Sequence, residues 1–155
     1  MNNTVKSLGT MMIALGLLCS VFHANAHSGV TEVVKQRMDA MSGMADAMKS
    51  MASVVKGKKA FDPVVFIDNG EVIVFHSDTL MALFPEQSIQ GESEALPAIW
   101  QNWDDFVTIN ERTKNNAQEL VNLAQQGLAL RPLTKQFVKL SSGCKACHKD
   151  YRKKK

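Results

Sequence analysis

A C-x-x-C-H motif near the C-terminus is the part of the sequence with the clearest chemistry. It consists of Cys144, Cys147 and His148, and this pattern is typical of covalent haem attachment. Two thiols three residues apart lie on one helical face, so both can add to the vinyl groups of one haem as thioethers. The next residue can then donate an imidazole nitrogen to the iron. The sequence therefore predicts one covalently bound haem c, with His148 as the proximal iron ligand.

Three other uses of paired cysteines fit this sequence less well. A thioredoxin-like redox pair follows a strand in a βαβ unit, whereas this motif lies late in a helical pattern. A zinc site needs a second pair of ligands, and beyond the N-terminal segment the other histidines are His27 and His76. A simple disulfide between Cys144 and Cys147 stays open as an alternative.

The second axial position of the iron has several candidate ligands. Five methionines of an N-terminal helical stripe are within reach, namely Met38, Met41, Met44, Met48 and Met51. Methionines at helical spacing are most often core residues, so most of the five are expected to fill the core. His76 would instead give bis-histidine ligation. His27 could chelate copper if it became the N-terminal residue, although one residue supports little.

The helices that must position these residues are predicted from amphipathic stripes. Apolar side chains recur at steps of four and three at about residues 29–56, 97–126 and 132–151, which is the pattern of helices with one buried face. Gly57 and Gly127 follow the first two stripes and are suitable helix stops. The third stripe carries the C-x-x-C-H motif.

The segment between the first two stripes gives conflicting signals. Asn69 and Gly70 lie between β-branched runs at residues 64–75, and this is a strong local signal for a β-hairpin. A lone two-stranded hairpin is marginally stable, and the same residues also fit a broken helical stripe. Local sequence supports the hairpin and the broken helix equally. Residues 84–95 follow neither period and are predicted to form a loop.

The N-terminus has the features of a bacterial secretory signal. Lys6 precedes an apolar run at residues 8–22, and Ala24 and Ala26 are the small residues that a signal peptidase reads. The run has about 15 apolar residues, whereas a span needs roughly 20. We therefore expect residues 1–26 to be a cleaved signal and residues 27–155 to form one mature domain in the periplasm. The net charge of +3 is too small to indicate nucleic-acid binding by itself, and no membrane span is expected after cleavage.

Several landmarks of the mature chain match a known family. The family has similar landmarks in the same order and at similar spacing. In this chain they are Arg37, residues 54–57, residues 61–62, residues 96–100 (Leu-Pro-Ala-Ile-Trp) and the ending at residues 142–155. With these landmarks the chain resembles the class II cytochromes c, which are cytochrome c′ and its low-spin relatives. The resemblance covers essentially all of the mature chain.

The resemblance implies an all-α fold, an up-down antiparallel four-helix bundle that holds one haem near the C-terminus and is often a homodimer. It makes about residues 62–84 the second helix. It also implies that Arg37 is a partner of a haem propionate. Counting from Arg37, the residue at the family's distal position is Met41, which the resemblance to low-spin members makes the axial iron ligand.

Two functions follow, and neither is enzymatic. The first is that of a periplasmic cytochrome that carries single electrons between redox partner proteins, because histidine with methionine ligation suits electron transfer. The basic end at residues 152–155 could steer acidic partners, or it could be a solvated tail. The alternative is a five-coordinate, cytochrome c′-like protein that binds nitric oxide or carbon monoxide. Peroxidase-type chemistry is disfavoured, because no distal His and Arg pair is placed for acid–base work.

Overall fold

The computed structural model describes the backbone of residues 26–154 and the side chains of residues 32–154. The described chain is helical: α1 (Ala26–Val55), α2 (Pro63–Thr79), a 3₁₀ turn (Leu80–Leu83), the short α3 (Ala98–Gln101), α4 (Trp103–Gln125) and α5 (Leu130–Tyr151). The predicted signal, apart from Ala26, and the side chain of His27 lie outside the described residues.

The ends of α1 and α4 lie close to the predicted positions, because glycine permits the backbone to turn there. Gly57 has φ +69° and Gly127 has φ +70°, which is the left-handed conformation that glycine adopts without steric cost. The Gly57 N–H donates to the Val54 carbonyl at 2.9 Å, and the Gly127 N–H donates to the Ala124 carbonyl at 3.0 Å. These bonds satisfy carbonyls that the helix would otherwise leave without partners.

The local hairpin signal at residues 64–75 is wrong, and the second helix implied by the resemblance is confirmed. Asp62 caps α2 by accepting a hydrogen bond from the Val64 N–H at 2.9 Å, and Pro63 occupies the first turn. The Asn69 side-chain amide donates to the Val65 carbonyl at 2.7 Å. Gly70 is buried, and it lets α2 approach the side chain of Val121 on α4 closely.

The predicted helix at residues 97–126 is divided in two. α3 ends at Gln101, and Asn102 follows it with φ −131° and ψ 47°, which are not helical. α4 then begins at Trp103. Residues 84–97 form the connection before α3, as predicted for most of that segment. One part of it is extended, because Ala95 pairs with Arg152 as an isolated antiparallel bridge.

Packing arranges the four long helices as a bundle. α2 packs on α1 and α4, and α4 packs on α5, whereas α1 and α5 contact each other only sparsely. One buried cluster fills the end of the bundle with side chains such as Met51, Phe66 and Leu140. A second, aromatic cluster includes Phe84, Phe106 and Tyr151 and lies beside the gap between α1 and α5. No helix within residues 26–154 is long and apolar enough to cross a membrane.

Candidate functional site

The C-x-x-C-H motif lies in the last two turns of α5, where both cysteines carry free, half-buried thiols. Burial raises the pKa of the Cys144 thiol, and burial together with the negative charge of neighbouring groups raises the pKa of Cys147 to about 12. Redox-active cysteine pairs need a lowered thiol pKa. The motif therefore has the wrong electrostatics for a thioredoxin-like centre and is not paired as a disulfide.

A cavity of about 340 Å³ lies between α1 and α5, which form its two facing walls. Its volume falls within the range of small-molecule and cofactor sites. Cys147 and His148 lie in the α5 wall, and Met41 lies in the α1 wall. The other lining side chains are mostly apolar or aromatic and comprise Val34, Arg37, Met38, Ser42, Ala45, Phe84, Ser93, Glu94, Ala95, Ile99, Phe106, Tyr151 and Arg152.

The α1 wall reduces the five candidate methionines to two. Met38 and Met41 line the cavity, and Met38 lies at its rim because 45% of its surface is exposed. Met51 is fully buried in the core cluster at the end of the bundle, where Met48 also packs. Met44 packs against both buried clusters. Met41, half-buried in the wall that faces His148, is therefore the methionine best placed to reach an iron.

His76 lies elsewhere and has no part in the cavity wall. Its imidazole packs over Gly43 of α1, where Nε2 would be 2.9 Å from a Cβ added to that glycine. It borders a shallow surface groove with Val72 and Phe75. The structure thus gives no support to bis-histidine ligation.

The environment of His148 suits a metal ligand. Burial, with the nearby positive charge of Arg152, lowers the pKa of His148, although Glu94 acts in the opposite direction. A lowered pKa favours the neutral imidazole, which is the form that binds metals. His148 keeps contact with solvent in the described chain.

The residues that follow the motif are fastened to the loop before α3. The Arg152 side chain binds the Glu94 carboxylate, with Nε and Nη2 both 2.6 Å from Oε2. The Lys153 ammonium donates to the Ser93 carbonyl at 2.7 Å. Backbone bonds from the Leu96 N–H to the Tyr151 carbonyl, 3.0 Å, and from the Lys153 N–H to the Glu94 carbonyl, 2.8 Å, complete the attachment.

Tyr151 is a buried part of the cavity lining. Its ring is 5% exposed and packs edge-on against Phe106 at a centroid distance of 5.2 Å. Its hydroxyl donates to Oδ2 of Asp105 at 2.5 Å. Burial and this hydrogen-bonded carboxylate raise the pKa of Tyr151 to about 12, so the phenol is neutral in the physiological range.

Arg37 lies in the α1 wall, but its donors are engaged within the chain. Nε and Nη2 donate to the Leu83 carbonyl at 3.0 and 2.7 Å. Nη1 donates to the Ser88 carbonyl and Ser93 Oγ at 3.1 and 3.0 Å, and Nη2 donates to Ser88 Oγ at 2.6 Å. The guanidinium also lies 4.1 Å from the centroid of the Phe84 ring. A propionate contact stays a prediction, and it would have to displace one of these bonds.

The residues present fit a covalently held haem. The cavity has apolar and aromatic walls, and Cys147 and the His148 imidazole, whose neutral form is favoured, belong to its lining. The free thiol of Cys144 lies one helical turn before Cys147, outside that lining. An apolar cavity with few polar groups suits a large flat macrocycle. The sequence reasoning identified this donor set, but it did not identify the supporting residues Ser88, Ser93 and Glu94. They lie in a loop without periodicity, and all three are far along the chain from their partners.

Comparison with known proteins gives the family. A family model described as cytochrome C′ matches residues 32–152, which include both walls of the cavity. The chain belongs to the cytochrome c′ family. Proteins of this family carry covalently bound haem c, so the predicted cofactor and the resemblance to class II cytochromes c are both confirmed.

Individual relatives of the cytochrome c′ family agree with this assignment. A cytochrome c′ from Rhodopseudomonas palustris is 31% identical over 126 residues, which cover 81% of this chain and 84% of that protein. A cytochrome c-556 from Agrobacterium tumefaciens is 35% identical over 128 residues, covering 79% and 98%. A solved nitric oxide complex of a mutant cytochrome c prime from Alcaligenes xylosoxidans has a TM-score of 0.73 at 32% identity, covering 81% and 97%. The four-helix bundle is thereby confirmed.

Proposed function

We propose that Cys144 and Cys147 hold the haem as thioethers and that His148 is its proximal ligand. The free thiols, the cavity beside them and the lowered pKa of His148 support these roles. When bound, the haem supplies an iron that exchanges single electrons or coordinates a small ligand. The chain then determines which of these occurs through the side chains that face the iron from α1.

We propose binding of nitric oxide or carbon monoxide as the function. The observation that carries it is the α1 wall, whose Val34, Met38, Met41 and Ala45 present apolar surface towards α5. Apolar side chains exclude water and suit a small uncharged gas. The relatives support the same function, since several are named cytochrome c′ and one 32% identical structure is a nitric oxide complex. The role is one of binding, without enzymatic turnover.

One observation favours the other candidate, one-electron transfer with periplasmic redox partner proteins. Met41 is half-buried in the wall opposite His148. A thioether that bonds the iron would occupy the position that a gas needs, and it would raise the reduction potential. The two functions therefore differ in one physical property, which is whether Met41 is bonded to the iron.

Absorption and magnetic spectra of the purified holoprotein test the choice. For gas binding we expect a high-spin ferric spectrum and ready uptake of carbon monoxide, both little changed by Met41→Leu. A low-spin spectrum with a methionine-to-iron charge-transfer band would contradict this and support electron transfer, provided that the band is lost in Met41→Leu. Met38→Leu is the matched control, because Met38 lines the same cavity one turn earlier but lies at the rim.

Residues 1–26 are proposed as a cleaved signal that leads to the periplasm, where haem would be attached to residues 27–155. Mass spectrometry of the exported protein tests this, and we expect an N-terminus at His27.

A homodimer is also proposed. Its support is the exposed apolar surface of α2, where Val64, Val72 and Phe75 are 50%, 37% and 64% exposed. Light scattering of wild type and Phe75→Ser would measure the oligomeric state.

A further inference from the structure

The outward face of α5 carries a row of basic side chains. Arg131, Lys135, Lys139, Lys145 and Lys149 are all exposed. At about 100° per residue they lie within an arc of about 120° around the helix. α5 contains one acidic residue, Asp150, whose carboxylate is 3.8 Å from the Lys149 ammonium. We call the five basic residues, with Val138 among them, the α5 basic face.

The helix diagonally opposite α5 has the opposite charge. α2 contains Asp68, Glu71 and Asp78 and has no lysine or arginine. α2 packs on α1 and α4, whereas α5 packs on α4 and contacts α1 only sparsely. α2 and α5 therefore lie diagonally across the bundle. The small net charge of +3 therefore conceals a molecule with a basic side and an acidic side. Such a charge separation orients a protein in the field of a charged partner before contact.

An exposed apolar residue lies within the basic face. The Val138 side chain is 56% exposed, lies inside the arc about 20° from its Lys145 edge, and stands near the middle of the face along the helix. Protein interfaces commonly combine an apolar contact with charged residues around it, and Val138 offers such a contact among the basic side chains.

The basic face also lies close to the haem site. It is on the same helix as Cys144, Cys147 and His148; Lys145 lies within the motif and Lys149 directly follows it. A partner bound on this face would lie next to the helix that holds the haem. Electron exchange requires such proximity.

We propose that the α5 basic face is a docking site for the acidic surface of a partner protein. The lysines and Arg131 attract and orient the partner, and Val138 makes an apolar contact among them. That the partner exchanges electrons with the haem rests on the electron-transfer candidate proposed above. The binding itself does not depend on it, because the face is formed by the chain alone.

Binding of acidic polymers to the holoprotein tests the proposal. Polyglutamate and a glutamate–tyrosine copolymer are titrated at low salt and followed by calorimetry and by NMR shifts of amides on α5. We expect Lys135→Glu/Lys139→Glu to weaken binding roughly tenfold or more, since each reversal replaces attraction by repulsion. Lys58→Glu/Lys59→Glu is the control, because it changes the net charge equally at exposed positions off α5. It should change the affinity less than about twofold.

Val138 gives a second, independent measurement. The copolymer should bind wild type more tightly than polyglutamate does, and Val138→Ser should abolish that advantage while leaving the affinity for polyglutamate unchanged. Retention of the advantage in Val138→Ser would overturn the apolar contact and with it the docking site.

Three further outcomes would overturn the proposal. Equal weakening in both double-reversal variants would mean that only net charge matters. Tighter binding to phosphatidylglycerol vesicles than to either polymer would identify a membrane-facing surface. Salt-sensitive self-association that Lys135→Glu/Lys139→Glu removes would mean that the face binds the acidic side of a second copy. Spectra of the same samples report the spin state, so failure of electron transfer is seen separately from failure of docking.

Discussion

Replacement of Arg37 by methionine should detach the loop that borders the haem cavity. Arg37 is 5% exposed and makes five hydrogen bonds to Leu83, Ser88 and Ser93. Methionine has a similar length and fills the space but donates no hydrogen bond. Ser88 and Ser93 are 0% and 3% exposed, so their oxygens would lose partners in places that water does not reach unless the loop moves.

The cost follows from the kind of bond that is lost. Hydrogen bonds to a charged group contribute about 1.5 to 3 kcal/mol each, and a buried acceptor left without a partner costs about 1 to 3 kcal/mol. The five bonds share one side chain and are not additive, and the loop can relax towards water. Burial also lowers the pKa of the Arg37 guanidinium, so part of the gain is offset by its desolvation. We therefore expect Arg37→Met to lower the free energy of unfolding by roughly 3 to 5 kcal/mol.

Chemical denaturation of the holoprotein measures this loss, and hydrogen exchange of residues 84–95 locates it. Arg37→Lys should be intermediate, because an ammonium has three donors and cannot span both ends of the loop. Arg112→Met, at an exposed position on α4, should cost less than about 0.5 kcal/mol. If Arg37→Met unfolds like wild type with unchanged exchange in the loop, the reasoning is refuted. If instead the loop stays protected but the haem spectrum changes, Arg37 acts on a propionate as the family resemblance implies.

Two further changes test the packing and the electrostatics of the fold. Gly70→Ala places a Cβ 2.5 Å from Cγ2 of the buried Val121. This overlap costs about 1 to 3 kcal/mol and outweighs the gain in helix propensity of about 1 kcal/mol. Denaturation should therefore show a lower free energy of unfolding, and adding Val121→Ala to the same chain should relieve the overlap. The pKa of Tyr151 is raised to about 12 from its ordinary value of 10.0, so its contribution to stability is present below pH 10 and is lost as the pH rises towards 12. Tyr151→Phe should therefore be less stable at neutral pH by about 1 kcal/mol and should have a flatter alkaline stability profile than wild type.

The parts of the fold that could be predicted from sequence are those determined by nearby residues. The stripes on α1 and α5 predict both helices, because a helix with one buried face repeats its apolar residues every three or four positions. Gly57 and Gly127 predict the helix ends, because the left-handed backbone that they adopt is a local property of glycine. The haem motif could also be found from sequence, because Cys144, Cys147 and His148 are neighbours within two turns of one helix.

The second helix could not be predicted locally, because a contact between distant segments decides it. Asn69 and Gly70 favour a turn when only neighbours are considered. In the folded chain Gly70 lies against Val121 and the carbonyl of Ala117 on α4, so the absence of a side chain permits close helix packing. The division between α3 and α4 at Asn102 could not be predicted either, because the periodicity of the apolar residues on both sides does not mark it. The family resemblance corrected the hairpin signal of the second helix, but nothing in the sequence indicated the division at Asn102.

The site itself depends on a connection that the sequence pattern does not reveal. α1 supplies Met41 and α5 supplies His148, yet these two helices contact each other only sparsely. Residues 83–95 join them instead. Arg37 on α1 binds Leu83, Ser88 and Ser93, while Arg152 and Lys153 beyond α5 bind Glu94 and the Ser93 carbonyl.

The separation of the two walls is therefore set by a loop with side-chain bonds to both, and direct helix packing contributes little to it. A haem between the walls must have a gap that packing would otherwise close. A bonded loop can hold such a gap open because it is attached to both walls, so the walls need no direct contact with each other. Changes at Ser93, which is bonded to Arg37 on α1 and to Lys153 beyond α5, should for this reason alter the α1 and α5 sides of the cavity together.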